Sequence, residues 1–263
     1  MRGLAGLGVL VTRPAWQAGP LSQRLTALGA TVYALPALEI VPRADQDAQQ
    51  TALGPIAHFD WVIFVSANAV RYGAQWLPNI ACPRLAAVGP ATAAALTATD
   101  RRLDLLPVSG YDSEQLLASP AFQSVRGQRI LIVRGNAGRA TLADTLIARG
   151  AEVAYAEVYT RTVATPAPQR LRAIETAWAA GAIQIVTVTS VDIARALLQL
   201  LTPQGRALFT QSTLLAGSAR IADRVRALGL TGPLVIAANP AEDGLIEALL
   251  TWPRPTDQPN ASA

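Results

Sequence analysis

Residues 130–146 read ILIVRGNAGRATLADTL: a run of four apolar residues, an arginine, a glycine-bearing turn, then Leu142 and Leu146 one helical turn apart. A short apolar run that opens into a turn and then a helical period reads as a strand passed to a helix. Such a turn leaves backbone N–H groups unpaired at a helix N-terminus, where the helix dipole favours an anion, and Arg134 and Arg139 flank it. The same pattern stands at residues 9–14, VLVTRP, with Arg13 lying 121 positions before Arg134. Downstream, LSQRLTALGA (21–30) pairs with LADTLIARGA (142–151), each helix register ending in a glycine C-cap, Gly29 and Gly150, again 121 apart. The echo continues more loosely. WVIFVSANAV (61–70) pairs with IVTVTSVDIA (185–194), LAAVGPAT (85–92) with LLAGSARI (214–221), and LLPVSGYDSEQLL (105–117) with LVIAANPAEDGLI (234–246). A duplicated unit of alternating strands and helices is the reading.

The strand runs are continuously apolar rather than alternating, as parallel strands covered on both faces require. Each copy is therefore expected to be a small doubly wound α/β sheet, whose ligands bind beyond the carboxyl ends of the strands. Polar residues collect at those ends: Thr12 and Arg13, Ser66 and Asn68, Gly89 and Thr92, Arg134 and Gly135, Thr189 and Ser190, Gly217 and Ser218. Two lobes presenting such edges would form a cleft rich in hydroxyls, amides and backbone N–H groups and poor in carboxylates.

Composition narrows the chemistry. With 51% hydrophobic and 15% charged residues in 263, the chain is ordinary globular material. Its net charge of +4 comes from scattered basic residues with one adjacent pair, Arg101 and Arg102, so the stripe that nucleic acid needs is missing and none is expected as a partner. Every basic residue is arginine, which excludes a Schiff-base or phosphate-loop lysine. A single cysteine, Cys82, excludes an internal disulfide framework, and the single histidine, His58, reads as a surface residue rather than a triad member or metal ligand. No dinucleotide or phosphate-loop glycine motif is present, and no metal or cofactor is expected. Asp112 and Glu114 sit in a Tyr-Asp-Ser-Glu turn where Ser113 is the expected helix N-cap. The apolar N-terminal run reads as a first strand rather than an export signal, no membrane segment is expected, and the chain is assigned to the cytoplasm. The tail from Trp252 is expected to be disordered.

The sequence resembles the uroporphyrinogen-III synthase family over nearly its whole length. VLVTRP with Gln17 and the LGA of 28–30, FDWVIFVSANAV, AAVGPATAAAL, YDSEQLL, RGNAGR, EVYTR, TVTS and GSARIA carry the likeness through their order and spacing. The resemblance implies two flavodoxin-like doubly wound parallel-sheet lobes joined by a two-stranded β-ladder. In that scheme residues 1–37 and 164–263 form one lobe and 44–153 the other, with 38–43 and 154–163 as the ladder; a cut between the repeats near Ser124 fits the sequence equally well. It implies a cofactor-free hydro-lyase of haem biosynthesis, acting as a monomer on hydroxymethylbilane. The substrate loses water to give an azafulvene, the terminal ring is attacked at its substituted carbon, and a spiro intermediate reopens and recloses with that ring inverted. The anions that such turns favour are then the substrate's acetate and propionate groups.

By the same resemblance Tyr159, in EVYTR, matches a candidate proton donor to the departing hydroxyl, in a ladder position expected to face the cleft; a tyrosine also simply suits a strand. Ser66, Thr189, Ser190 and Thr92 bind carboxylate or cap the helices that follow. Arg13 and Arg134 pair with substrate or with acidic residues between the lobes. Gly89, Gly135 and Gly138 are expected first as conformational necessities, and Arg139 touches substrate or stays solvated. Many family members carry Gly-Pro-x-Thr in both halves, whereas the second copy here is Gly217-Ser218-Ala219-Arg220, which leaves Ser218 or Arg220 in the threonine's place. The competing class is a non-catalytic, two-lobed cytosolic receptor for a small polyanion.

Overall fold

The structure is a computed structural model that describes residues 3–79, 83–108, 112–136 and 140–253. Among them the strands are β1 (Gly8–Val11), β2 (Thr31–Ala34), β3 (Leu38–Pro42), β4 (Trp61–Phe64), β5 (Arg84–Ala87), β6 (Arg129–Gly135), β7 (Glu152–Val163), β8 (Ile185–Val188), β9 (Thr213–Ala216) and β10 (Leu234–Ile236). They build two five-stranded sheets, and the chain divides into two compact units, Met1–Glu39 with Thr162–Ala263, and Ile40–Arg161. The chain passes from the first unit to the second within β3 and returns within β7.

In the discontinuous unit the sheet order is β10-β9-β8-β1-β2, with every neighbouring pair parallel. Counted within the unit this is 2-1-3-4-5 read from the other edge, an order in which strand direction of travel reverses beside the first strand. The apolar runs are buried on both faces, as their composition requires. Val9 and Val11 enter the cluster containing Leu21, Leu25 and Leu245, while Leu10 enters the opposite one with Val186, Leu197 and Phe209. The helix Ala15–Ala27 buries Ala18, Leu21 and Leu25 and is closed by Gly29 at φ +93; its counterpart Gly150, at φ +86, closes Thr141–Ala148. Both glycines hold a left-handed conformation that side chains resist, so the repeated glycine is a helix stop, as expected.

The seam that closes this unit is β1 against β8, segments some 175 residues apart, paired at Val9↔Ile185 and Leu10↔Val186. Just beyond it Thr12 and Thr187 are both fully buried. Thr12 N–H donates to Thr187 Oγ1 at 3.2 Å, Thr187 Oγ1–H donates to Leu10 O at 3.2 Å, and Thr12 Oγ1–H donates to Thr187 O.

The second unit has the order β3-β7-β6-β4-β5, in which the pairs β7–β6, β6–β4 and β4–β5 are parallel. In β4, Val62 and Phe64 enter one core cluster and Trp61 and Ile63 the other, so a four-residue apolar run serves two faces. The helix expected to be capped by Ser113 is instead capped by Asp112, whose carboxylate accepts from Gln115 N–H at 2.8 Å, and Ser113 is its first residue. A carboxylate accepting at a helix N-terminus also meets the dipole, which a hydroxyl one residue later cannot do. Trp252, the first residue of the tail expected to be disordered, packs against the first unit's core, because the helix Glu242–Thr251 delivers it there, while the tail from 254 onward lies outside the described residues.

Thr187→Val keeps the shape of the seam but strips Thr12 N–H of its buried acceptor. A loss of about 1–3 kcal/mol in urea unfolding is expected, with Thr187→Ser costing less than half as much.

Candidate functional site

The expected residues do fall at the carboxyl ends of the strands, by the geometry of each sheet alone. Ser66 follows β4 by two residues, Gly89 follows β5 by two, Gly135 ends β6, Thr189 and Ser190 follow β8, and Ser218 follows β9 by two. Arg13 does the same after β1. Ser66, Ser190 and Ser218 are N-caps: their Oγ atoms accept from Ala69, Ile193 and Ile221 N–H at 3.1, 3.2 and 3.3 Å. Capping uses the oxygen as acceptor and leaves each hydroxyl hydrogen for another partner. Thr92 is different. The cap of Pro90–Thr97 is Gly89, so Thr92 lies in the first turn, buried, with no capping role. Gly89 holds an extended φ of −155° that any residue adopts, which removes the conformational reason for a glycine there.

Most of the chemistry in the second unit gathers where β7 crosses β6. β7 pairs with β6 in register up to Arg134↔Glu157 and then shifts, so that Gly135 lies opposite Tyr159 and one extra residue, Val158, is accommodated on β7. Along β7, Ala154, Ala156 and Val158 face one core, and simple alternation turns Tyr159 to the opposite face. The bulge returns it, and Val158 and Tyr159 both lie in that core. Tyr159 is therefore fully buried rather than presented to a cleft. Its Oη lies 3.2 Å from Ser66 Oγ and accepts from the Arg161 guanidinium at 3.1 Å. Asn136 fixes the strand beside it: Asn136 N–H donates to Tyr159 O at 3.0 Å and Asn136 Oδ1 accepts from Arg161 N–H at 3.3 Å.

Gly135 owes its identity to this contact. A Cβ there meets Tyr159 ring carbons at 2.5 and 2.6 Å, closer than any side chain tolerates. The neighbouring Arg134 donates from Nε to Gly135 O at 3.1 Å and stacks over Tyr155 at 4.8 Å from the ring centroid. Asn68, buried on the helix that Ser66 caps, has a side-chain oxygen without a hydrogen-bond partner among the described residues. Gly138, Arg139 and Cys82 lie outside the described residues.

In the first unit Arg13 is half-buried and donates to Pro240 O. Burial pushes its guanidinium below the ordinary value, with the field of Glu242 opposing that shift. Pro240 O is thus the contact that holds the arginine, and Glu242 acts on it only through its field while lying 3.7 Å from Arg24. Gly217 is packed against Pro240 and Thr189, and Arg220 is exposed on the first turn of Ala219–Ala227. His58 is exposed in a short 3₁₀ turn, and no cluster of three or more His, Cys, Asp or Glu side chains gathers among the described residues. No helix there is long and apolar enough to cross a membrane.

Arg161 and Asn136 were not singled out from sequence. Arg161 follows Tyr159 by two and Asn136 follows Gly135 by one, but only the β6–β7 register shows that they meet. Gly135→Ala forces the tyrosine ring from its seat; a loss of about 1–3 kcal/mol in urea unfolding is expected, with the Tyr159 environment altered in near-ultraviolet circular dichroism.

Comparison with known proteins agrees along the chain. Residues 19–247 match the family model described as uroporphyrinogen-III synthase HemD. The uroporphyrinogen-III synthase of Escherichia coli (strain K12) is 33% identical over 251 residues, covering 92% of this chain and 100% of that relative. That of Salmonella typhimurium is 32% identical over 252 residues, with the same coverage of 92% and 100%. The crystal structure of uroporphyrinogen-III synthetase from Helicobacter pylori 26695 aligns with a TM-score of 0.60 at 16% identity, covering 93% of this chain and 99% of that one. A mutant uroporphyrinogen III synthase from the extremely thermophilic bacterium Thermus thermophilus aligns at 0.59 and 16%, covering 92% and 96%. At these identities the structural likeness speaks for the α/β fold with its parallel sheets. With most of its length matching the family model and full-length relatives a third identical, this chain belongs to the uroporphyrinogen-III synthase family.

Proposed function

We propose that the protein is a uroporphyrinogen-III synthase, a cyclising hydro-lyase of haem biosynthesis that converts hydroxymethylbilane to uroporphyrinogen III. The observation that carries this reading is the end-to-end match to relatives of that name at about a third identity. The two units are read as flavodoxin-like lobes, 1–37 with 164–263 and 44–153, joined by a two-stranded ladder at 38–43 and 154–163. The 2-1-3-4-5 order of the first sheet and the passage of the chain through β3 and β7 support that reading. The enzyme is taken to act as a cytoplasmic monomer, without cofactor or metal; a lone cysteine suits a reducing compartment.

The chemistry asks for little beyond placement and one proton. Loss of the substrate hydroxyl as water leaves an azafulvene, and the closing ring attacks through its substituted carbon only when the flexible chain is held so that this approach is the near one. Carboxylates on the substrate offer the handles. In the second unit the binding set is Ser66, Asn68, Gly89, Thr92, Arg134, Gly135 and Gly138; in the first it is Arg13, Thr189, Ser190, Ser218 and Arg220. Support comes from strand-end placement and from cap hydroxyls that keep a hydrogen to donate. Asn68 adds a buried oxygen that can accept a donor such as a pyrrole N–H. Tyr159 is assigned as the source of the proton for the departing hydroxyl.

Purified protein without added cofactor, given fresh hydroxymethylbilane, is expected to yield mainly type III uroporphyrin after oxidation and chromatography. Type I alone, at the uncatalysed rate and with folded protein, leaves the polyanion receptor as the reading. Tyr159→Phe is expected to lower kcat about 10²- to 10⁴-fold while the residual product stays type III, because folding of the substrate and supply of the proton are separate tasks.

A further inference from the structure

Tyr159 has no exposed surface, whereas Ser66, 3.2 Å from its phenol oxygen, is partly exposed at the end of β4. We propose that the proton of Tyr159 reaches the substrate through the Ser66 hydroxyl, so that Ser66 is the group in contact with the departing oxygen and Arg161 fixes the direction of transfer. This rests on the synthase reading and on Tyr159 as its proton source.

Donor accounting allows a relay of this polarity. A guanidinium only donates, so the contact from Arg161 at 3.1 Å makes Tyr159 Oη its acceptor and leaves the phenol O–H available to Ser66, one of the two directions that their 3.2 Å contact allows. In that direction Ser66 Oγ accepts from the phenol and from Ala69 N–H at 3.1 Å, and its own O–H is turned outward. The helix cap thus does more than close Ala67–Gly73: it pins Oγ in line with the phenol. Core packing pins the other end, since the ring sits on Gly135, 6.1 Å from the Tyr72 ring.

In the forward step the Ser66 O–H bond breaks towards the substrate hydroxyl as the Tyr159 O–H bond breaks towards Ser66 Oγ. The substrate C–O bond cleaves with its electron pair on the departing water, leaving an azafulvenium cation. Tyr159 is left as a phenolate beside the Arg161 guanidinium. When the inverted ring recloses, its bonding carbon loses a proton as the pyrrole regains aromaticity. That proton returns through Ser66 to the phenolate. The net change is loss of one water, with both residues restored.

A series of variants, assayed with hydroxymethylbilane alongside wild type, tests the relay. Ser66→Asn keeps a capping oxygen but carries no hydroxyl, and Ser66→Gly, also accepted at N-caps, serves if the asparagine variant does not fold. The expected loss in kcat for Ser66→Asn equals that of Tyr159→Phe, about 10²- to 10⁴-fold. The double variant is expected to lose no more than either alone, since groups in series fail together, and Ser66→Thr is expected to stay within about tenfold of wild type. Arg161→Met is expected to lower kcat with KM unchanged, and to have no further effect in the Tyr159→Phe background. Multiplying losses in the double variant, or a Ser66→Asn enzyme near the wild-type rate beside an impaired Tyr159→Phe, overturns the relay while leaving the synthase reading intact. A raised KM with kcat preserved in Arg161→Met makes that residue a carboxylate ligand and removes its part. Wild-type protein that yields only type I removes the synthase reading and the relay together.

Discussion

One extra residue in β7 governs the second unit's chemistry. Without the shift between Arg134↔Glu157 and Gly135↔Tyr159, Tyr159 follows the alternation of the strand and turns away from β4. With it, the phenol enters the core shared by Phe64 and Val133 and arrives beside Ser66. The bulge needs a partner strand that lets a ring come close, and Gly135 provides it. It also needs an anchor after the bend, and Asn136 provides that through hydrogen bonds to both Tyr159 and Arg161. Bulges re-aim side chains in this way wherever a ladder is interrupted.

The two units meet the problem of strand-end chemistry differently. In the second, a buried phenol lies 3.2 Å from a partly exposed hydroxyl. In the first, the corresponding positions are two capping serines and an arginine held by Pro240. Duplication explains the shared positions: each follows a buried parallel strand whose end must pass to a helix, and a serine satisfies the first free N–H groups. Divergence explains the rest, since Arg13 and Arg134, equivalent in the repeat, have unrelated partners in the fold.

The sheet that holds the first unit together depends on segments from both ends of the chain. Its seam is short, and Thr12 with Thr187 supplies buried hydrogen bonds just where the β1–β8 ladder ends. A threonine there suits a strand by shape and satisfies backbone groups that an isosteric valine cannot.

What the sequence determined by itself is what local pattern can encode. Continuous apolar runs specify parallel strands buried on both faces, Gly29 and Gly150 specify helix stops, and the repeated order specifies α/β units with polar residues at strand ends. Family membership was legible in the order of the motifs. Tertiary structure decided the rest because it depends on register and on contacts across the chain. Asp112 rather than Ser113 caps one helix, Gly89 rather than Thr92 caps another, and Trp252 packs against a core. Above all, the burial of Tyr159, its approach to Ser66 and the arrival of Arg161 rest on a one-residue shift between β6 and β7, which no periodicity in either strand announces.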